Sequence, residues 1–95
     1  MDETMEIDAQ SRPRLPRGVK LKRDEVRERW TLLAPERIFE VDATAATVLE
    51  LCDGERDLKA IVAELAERYN APSAVIEKDV VAMLADLRTK RVLET

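Results

Sequence analysis

Few residues of this chain could carry out covalent chemistry. Cys52 is its only cysteine, and its 95 residues include no histidine. A Cys/His zinc site, a Ser-His or Cys-His catalytic pair and a disulfide within the chain are therefore excluded. Carboxylates are abundant but follow no metal-ligand spacing, and with 38% charged residues chance clusters of them are expected. The sequence thus favours a binding module over an enzyme and predicts neither a cofactor nor a metal.

The charges are distributed unevenly along what must be one small domain. Residues 1–10 contain four acids and no base, residues 11–23 contain six bases and no acid, and the remainder carries a net charge of −6. Residues 1–13 lack hydrophobic periodicity, so we expect a disordered tail or a fusion linker there, followed by a folded domain over 14–95. The basic segment, residues 11–23, could bind nucleic acid or an acidic peptide, or it could be a solvated linker.

The hydropathy pattern gives no sign of a membrane-spanning segment. No apolar run approaches the roughly 18 residues that a membrane helix needs. The acidic N-terminus also does not resemble a signal peptide, which begins with basic residues. We therefore expect a cytoplasmic protein.

Three short strands are predicted in the first half of the domain. Val19 to Arg23 alternates apolar and basic residues, and Trp30 to Leu33 has the composition of a second strand. Pro35 suits the second position of a type I turn, which would connect that strand to a third one from Arg37 to Val41. The three strands would form an antiparallel meander.

Three helices are predicted to follow the sheet. Asp42, Asp57 and Ser73 are each placed to accept hydrogen bonds from first-turn amides, as N-terminal caps do. Gly54 suits the left-handed position that ends the first helix, and Cys52 lies on the apolar face of that helix as a buried thiol. The expected fold is α+β, a winged-helix-like arrangement of a three-stranded antiparallel sheet followed by three helices.

The predicted third helix bears on two competing functions. A winged-helix DNA-binding protein would use it to read DNA, but its N-terminal half offers Glu77 and Asp79 against one lysine, and carboxylates repel phosphate. DNA binding is therefore disfavoured. The apolar surface of this helix exceeds what one core-facing stripe needs, so a flank could form a groove wall. One candidate flank contains Val75, Asp79, Ala82, Met83 and Asp86, and the other contains Val81, Ala85 and Val92.

Four motifs in order give the chain a family resemblance. They are LLAPER (Leu32–Arg37), LCDG (Leu51–Gly54), YNAP (Tyr69–Pro72) and DVVAMLADL (Asp79–Leu87). With the residues between them, from about Arg14 to Glu94, they closely resemble the PqqD family of pyrroloquinoline quinone (PQQ) biosynthesis. Only the acidic N-terminal tail departs from the resemblance.

The resemblance implies a non-catalytic peptide chaperone. It implies that the chain binds the short precursor peptide PqqA and presents it to the radical SAM enzyme PqqE, which cross-links a glutamate and a tyrosine of the peptide. In the wider group of leader-peptide recognition elements, the peptide adds as a strand to the third strand, in the cleft beside the third helix. The peptide-binding residues implied here are Arg37, Ile38, Phe39, Glu40, Val41, Val75, Asp79, Ala82, Met83 and Asp86.

The sequence leaves two questions open. Ile38 and Glu40 point to one face of the predicted third strand and Phe39 and Val41 to the other, so only one pair can line a given pocket. An open strand edge could also pair with a second copy, as in a self-associating structural module, so a monomer and a hairpin-swapped dimer are both allowed. The N-terminal segment could join the domain to another pathway enzyme.

Overall fold

The sheet is a three-stranded antiparallel meander, as predicted. The computed structural model describes residues 7–95, and within them β1 is Lys20–Asp24, β2 is Arg29–Ala34 and β3 is Arg37–Val41. The strand order is β1-β2-β3, so β1 and β3 are the two edge strands of the sheet.

The two faces of the sheet differ in burial. Leu32 is fully buried, and Phe39 lies directly opposite it on the neighbouring strand. Because side chains alternate along a strand, Phe39 and Val41 share this inner face, and both pack against the core. Ile38 and Glu40 point to the outer face, where Ile38 is 72% exposed.

The turn between β2 and β3 differs from the predicted type I turn. Glu36 has a φ of +62°, whereas the third position of a type I turn has a φ of about −90°. Proline at the second position followed by a left-handed residue is the arrangement of a type II turn. Glycine or asparagine usually signals this conformation. Because the sequence has glutamate there instead, the signal was missing.

Three helices follow the sheet and complete the expected winged-helix-like fold. They are α1 (Ala43–Glu50), α2 (Leu58–Tyr69) and α3 (Ser73–Thr89). The Asp42 carboxylate accepts a hydrogen bond from the Ala45 amide at 2.7 Å, and the Asp57 carboxylate accepts one from the Ala60 amide at 2.9 Å. Both predicted caps are confirmed. No helix in residues 7–95 has the length and apolar character needed to cross a membrane.

Two predicted helix boundaries were wrong. Ser73 is the first residue of α3, and Pro72 occupies the cap position, where no side chain accepts a hydrogen bond from the helix. Gly54 does have a left-handed φ of +81°, but it lies in the loop beyond the end of α1. Its amide donates to the carbonyl of Pro13 because the N-terminal segment runs past this loop.

The core is aliphatic and lies between the inner face of the sheet and the helices. α1 lies against β1 and β2, and α3 packs against α2. Cys52 is buried in this core as predicted, and its thiol donates to the carbonyl oxygen of Val48 at 3.3 Å. The buried apolar side chains that form the core include Leu32, Val48, Leu49, Leu58, Ile61, Leu65, Leu84, Val92 and Leu93.

The segment from residue 7 to residue 13 differs from the predicted tail. Pro13 is fully buried, and the carbonyl of Ser11 accepts a hydrogen bond from the amide of Leu58 at 2.8 Å. That amide belongs to the first turn of α2, where backbone donors have no partner within the helix. Periodicity could not reveal this contact because it is made by backbone atoms. Residues 1–6 of the predicted tail lie outside the described residues.

Candidate functional site

The open edge of β3 offers unpaired main-chain groups. Within residues 7–95, β2 is the only strand that pairs with β3. The two-residue loop joins Ala34 to Arg37, and such a loop closes on a hydrogen-bonded pair. Bonded and non-bonded positions alternate along an antiparallel strand. The N–H and C=O groups of Ile38 and Glu40 therefore face the open edge, where another strand could pair with them.

The edge of β1 is less suited to accept a strand. Lys20, Lys22 and Arg23 place three positive charges within the five residues of β1, and charged side chains, lysine above all, protect strand edges from pairing. β3 contains more apolar residues, namely Ile38, Phe39 and Val41. Composition therefore favours β3 as the acceptor.

Arg37 links the start of β3 to the end of α3. Its Nη2 donates to the carbonyl oxygen of Lys90, the residue that caps α3, at 2.8 Å. Its guanidinium also lies over the ring of Phe39, 5.4 Å from the centroid, in a cation–π contact. Asp86 joins this cluster through an ion pair with the Lys90 ammonium at 2.6 Å. Three predicted site residues are therefore grouped here.

A pocket of about 190 Å³ lies among the three helices. It begins at the first turn of α1, which follows the other end of β3. Asp79 is the one charged residue among those that line it, and most of the remaining lining is apolar. The lining residues are Thr44 and Val48 from α1, Leu65 and Tyr69 from α2, and Ile76, Asp79, Val80 and Met83 from α3.

The structure places the predicted residues of α3 on two sides of the helix. Asp79 and Met83 line the pocket, whereas Ala82 lines a separate depression on the far side of α3. Val75 is 54% exposed and lies outside the pocket. The stripe predicted from the sequence is therefore divided between the pocket and the opposite side of the helix.

The alternative flank of α3 is largely occupied. Val81 is half-buried and lines the depression next to Ile7, which packs against the core from the N-terminal segment. Ala85 is half-buried, and Val92 is fully buried. This arrangement favours the flank that contains Asp79 and Met83.

Sequence reasoning assigned neither Thr44 nor Tyr69 to the site. Tyr69 lies at the end of the apolar face of α2 and is 44% exposed. An aromatic residue at that position was the sequence signal that could have placed it in the site. Thr44 carried no signal, because its position depends on how α1 turns away from β3 after Asp42.

The open edge of β3 (Arg37–Val41) and the pocket among the helices are together called the groove, and Cys52 belongs to neither part. Burial, and to a smaller extent the negative charge of Asp53, raises the pKa of its thiol to about 12. The group is therefore a protonated thiol at neutral pH and a poor nucleophile. Within residues 7–95, no three Cys, Asp or Glu side chains are arranged to hold a metal ion.

Comparison with known proteins decides the family. The family described as coenzyme PQQ synthesis protein D (PqqD) matches residues 29–93, which include β3, the three helices and every residue of the groove. The chain belongs to the PqqD family. The predicted resemblance is confirmed.

Relatives within the PqqD family include stand-alone and fused proteins. A PqqA binding protein of Rhodopseudomonas palustris is 56% identical over 80 residues, covering 84% of this chain and 78% of that protein. The bifunctional coenzyme PQQ synthesis protein C/D of Methylorubrum extorquens is 52% identical over 82 residues, covering 86% of this chain but 22% of that protein. The PqqD-like part can therefore be one segment of a larger chain.

Two solved structures of PqqD proteins share the fold. One is the solution structure of the PqqD truncation of Methylobacterium extorquens PqqCD, described as a functional, stand-alone recognition element for ribosomally synthesised and post-translationally modified peptides. It matches with a TM-score of 0.84 and 47% identity, covering 98% of this chain and 99% of that one. The crystal structure of PqqD from Xanthomonas campestris matches with a TM-score of 0.60 and 39% identity, covering 94% and 99%.

Proposed function

We propose that this protein is a non-catalytic peptide chaperone that binds the precursor peptide PqqA by strand addition to β3. It would present the bound peptide to the radical SAM enzyme PqqE in PQQ biosynthesis. The observation that carries the proposal is the open edge of β3, which leads through Asp42 into α1 and the mostly apolar pocket that begins at the first turn of that helix. Relatives named PqqA binding protein support the choice of ligand. The fused C/D relative supports the possibility of a partner enzyme tethered to this domain.

The energetics require side chains as well as strand pairing. Main-chain hydrogen bonds to Ile38 and Glu40 would each contribute about 0.5–1.5 kcal/mol net. Ordering a flexible peptide costs about 1–2 kcal/mol per residue. These two contributions nearly cancel. Affinity must therefore come from burial of peptide side chains against the inner face of β3 and the pocket.

Strand geometry assigns the two faces of β3 different roles in this proposal. Side chains of a paired strand point to the same face as their cross-strand neighbours. Peptide residues that turn inward would meet Phe39 and Val41, which are half-buried against the core. Those that turn outward would lie beside Ile38 and Glu40 on the exposed face. We therefore assign the inner pair to the groove and the outer pair to its rim.

A pair of variants at Glu40 tests strand addition. Glu40→Pro removes an amide that faces the open edge, and Glu40→Ala keeps that amide. Both variants lose the exposed ion pair with Arg29 at 3.1 Å. We expect the proline variant to bind PqqA more weakly by about 1–3 kcal/mol, because a peptide carbonyl loses its donor. The alanine variant should bind within about threefold of the wild type. Isothermal titration calorimetry measures both affinities.

Two controls keep the result interpretable. Thermal unfolding shows whether the proline variant folds, which an edge position should allow. Arg23→Pro removes an outward amide from the β1 edge and should leave PqqA affinity unchanged. Equal affinities of folded Glu40→Pro and Glu40→Ala would contradict strand addition to β3. A dimer that persists with and without peptide in size-exclusion chromatography would instead favour the self-associating module.

A further inference from the structure

We infer that the pocket among α1, α2 and α3 selects a basic side chain of the bound peptide through Asp79. The inference rests on the proposed function, because the peptide would reach the pocket as a continuation of the strand paired with β3. Strand pairing recognises main-chain groups, which all peptides share. The pocket would supply recognition of one particular side chain.

The dimensions of the pocket suit one large side chain. Its volume of about 190 Å³ is below the roughly 300–1,000 Å³ of cavities that hold small-molecule ligands. Its walls include Val48, Leu65, Val80 and Met83, which are apolar. Lysine and arginine bury their methylene stems against such walls while their charged ends stay at a polar rim. A side chain with an apolar stem and a cationic end therefore fits both parts of the pocket.

The charge at the rim is negative and unpaired within the described part of the chain. Asp79 forms no ion pair and accepts no side-chain hydrogen bond among residues 7–95. Asp86, two turns further along α3, already pairs with Lys90 at 2.6 Å. Tyr69 and Thr44 also line the pocket, and a hydroxyl can accept a hydrogen bond from an ammonium or a guanidinium. The rim therefore attracts a cation and repels a carboxylate.

The position of the pocket also predicts which peptide residue enters it. Thr44 lies three residues after Val41, the end of β3, so we place the pocket next to the end of the edge that can pair. The selected residue should lie immediately outside the strand-paired segment of the peptide. A basic residue at that place would fix the register of the peptide along β3.

A double-mutant cycle with the PqqA peptide tests this inference. Each lysine of the peptide is replaced in turn by norleucine and each arginine by citrulline, which keeps the stem and removes the charge. We expect Asp79→Asn to weaken binding of the native peptide about fivefold at low ionic strength, with a smaller loss at high salt. For one neutralised peptide, the same substitution should cause no further loss. Fluorescence anisotropy measures each affinity.

Glu77→Gln is the matched control for this cycle. Glu77 carries the same charge on the same helix but lies outside the pocket, on the opposite side of α3. Equal affinities of Asp79→Asn and Glu77→Gln would overturn the inference, as would purely additive effects for every neutralised position or a PqqA peptide without basic residues. Failure of the wild-type protein to bind any peptide would instead overturn the proposed function, so the two failures are distinguishable.

Discussion

Among single side chains, Arg37 makes the contacts that connect β3 to the end of α3. Its guanidinium bonds to the end of α3 at 2.8 Å and covers the ring of Phe39. One residue of the edge strand therefore links the strand directly to the helix end. A lysine could not reproduce both contacts, since its ammonium is a point donor and lacks the planar guanidinium that stacks on a ring.

Cys52 yields a prediction about stability and pH. The unfolded thiol, with a pKa near 9.0, loses its proton above about pH 9, whereas the folded one keeps it up to about pH 12. The folded state therefore binds more protons in that range, so the free energy of unfolding falls as pH rises through it. We expect the thiol to account for a loss of about 1.4 kcal/mol between about pH 8 and about pH 10.

Urea unfolding of the wild type and of Cys52→Ala at both pH values measures this loss. The alanine variant has no thiol to titrate, so its free energy of unfolding should fall less than that of the wild type. Parallel pH profiles for the two proteins would show that the buried thiol does not contribute.

Among the secondary-structure elements, α2 and α3 differ in how the backbone amides of their first turns are satisfied. Asp57 caps α2 through its own side chain at 2.9 Å, and the carbonyl of Ser11 satisfies the neighbouring amide of Leu58. The start of α3 has no such side chain, because Pro72 stands in the cap position. The first turn of α3 therefore lacks the side-chain cap that stabilises the start of α2.

This difference predicts unequal effects of two alanine substitutions. Asp57→Ala should lower the free energy of unfolding by about 1 kcal/mol, because it removes a side-chain cap. Ser73→Ala should change it by less than about 0.5 kcal/mol, because Ser73 is the first helical residue and exposed. Chemical denaturation of both variants checks the comparison. A loss at Ser73 equal to that at Asp57 would contradict the observed cap.

The strands and helices were predictable from the sequence because their signals are local. β3 has the predicted bounds, and the caps at Asp42 and Asp57 follow from one side chain and its own first turn. The pocket was only partly predictable, since it depends on where three helices meet. Thr44 lines it because of the direction of α1, and periodicity along a single helix contains no information about that direction.

At the scale of the whole molecule, the N-terminal segment contacts the C-terminal residues of the domain. The main chains of Arg14 and Glu94 exchange hydrogen bonds at 2.8 and 2.9 Å, and their side chains form an ion pair at 2.9 Å. These contacts involve the C-terminal residues and the loop at Asp53, not β3. The segment that could lead into a fused enzyme is therefore anchored without using the open edge.

If PqqA becomes the next strand beside β3, the amides of that edge should be protected from hydrogen exchange when the peptide is bound. In the free protein the amides of Ile38 and Glu40 should exchange quickly, since they face the open edge. Saturation with PqqA should slow both by about tenfold or more, because each then donates to a peptide carbonyl. The outward amides of Leu21 and Arg23 on the β1 edge should not change. Unchanged exchange at Ile38 and Glu40 in the peptide-saturated protein would show that PqqA does not pair with β3.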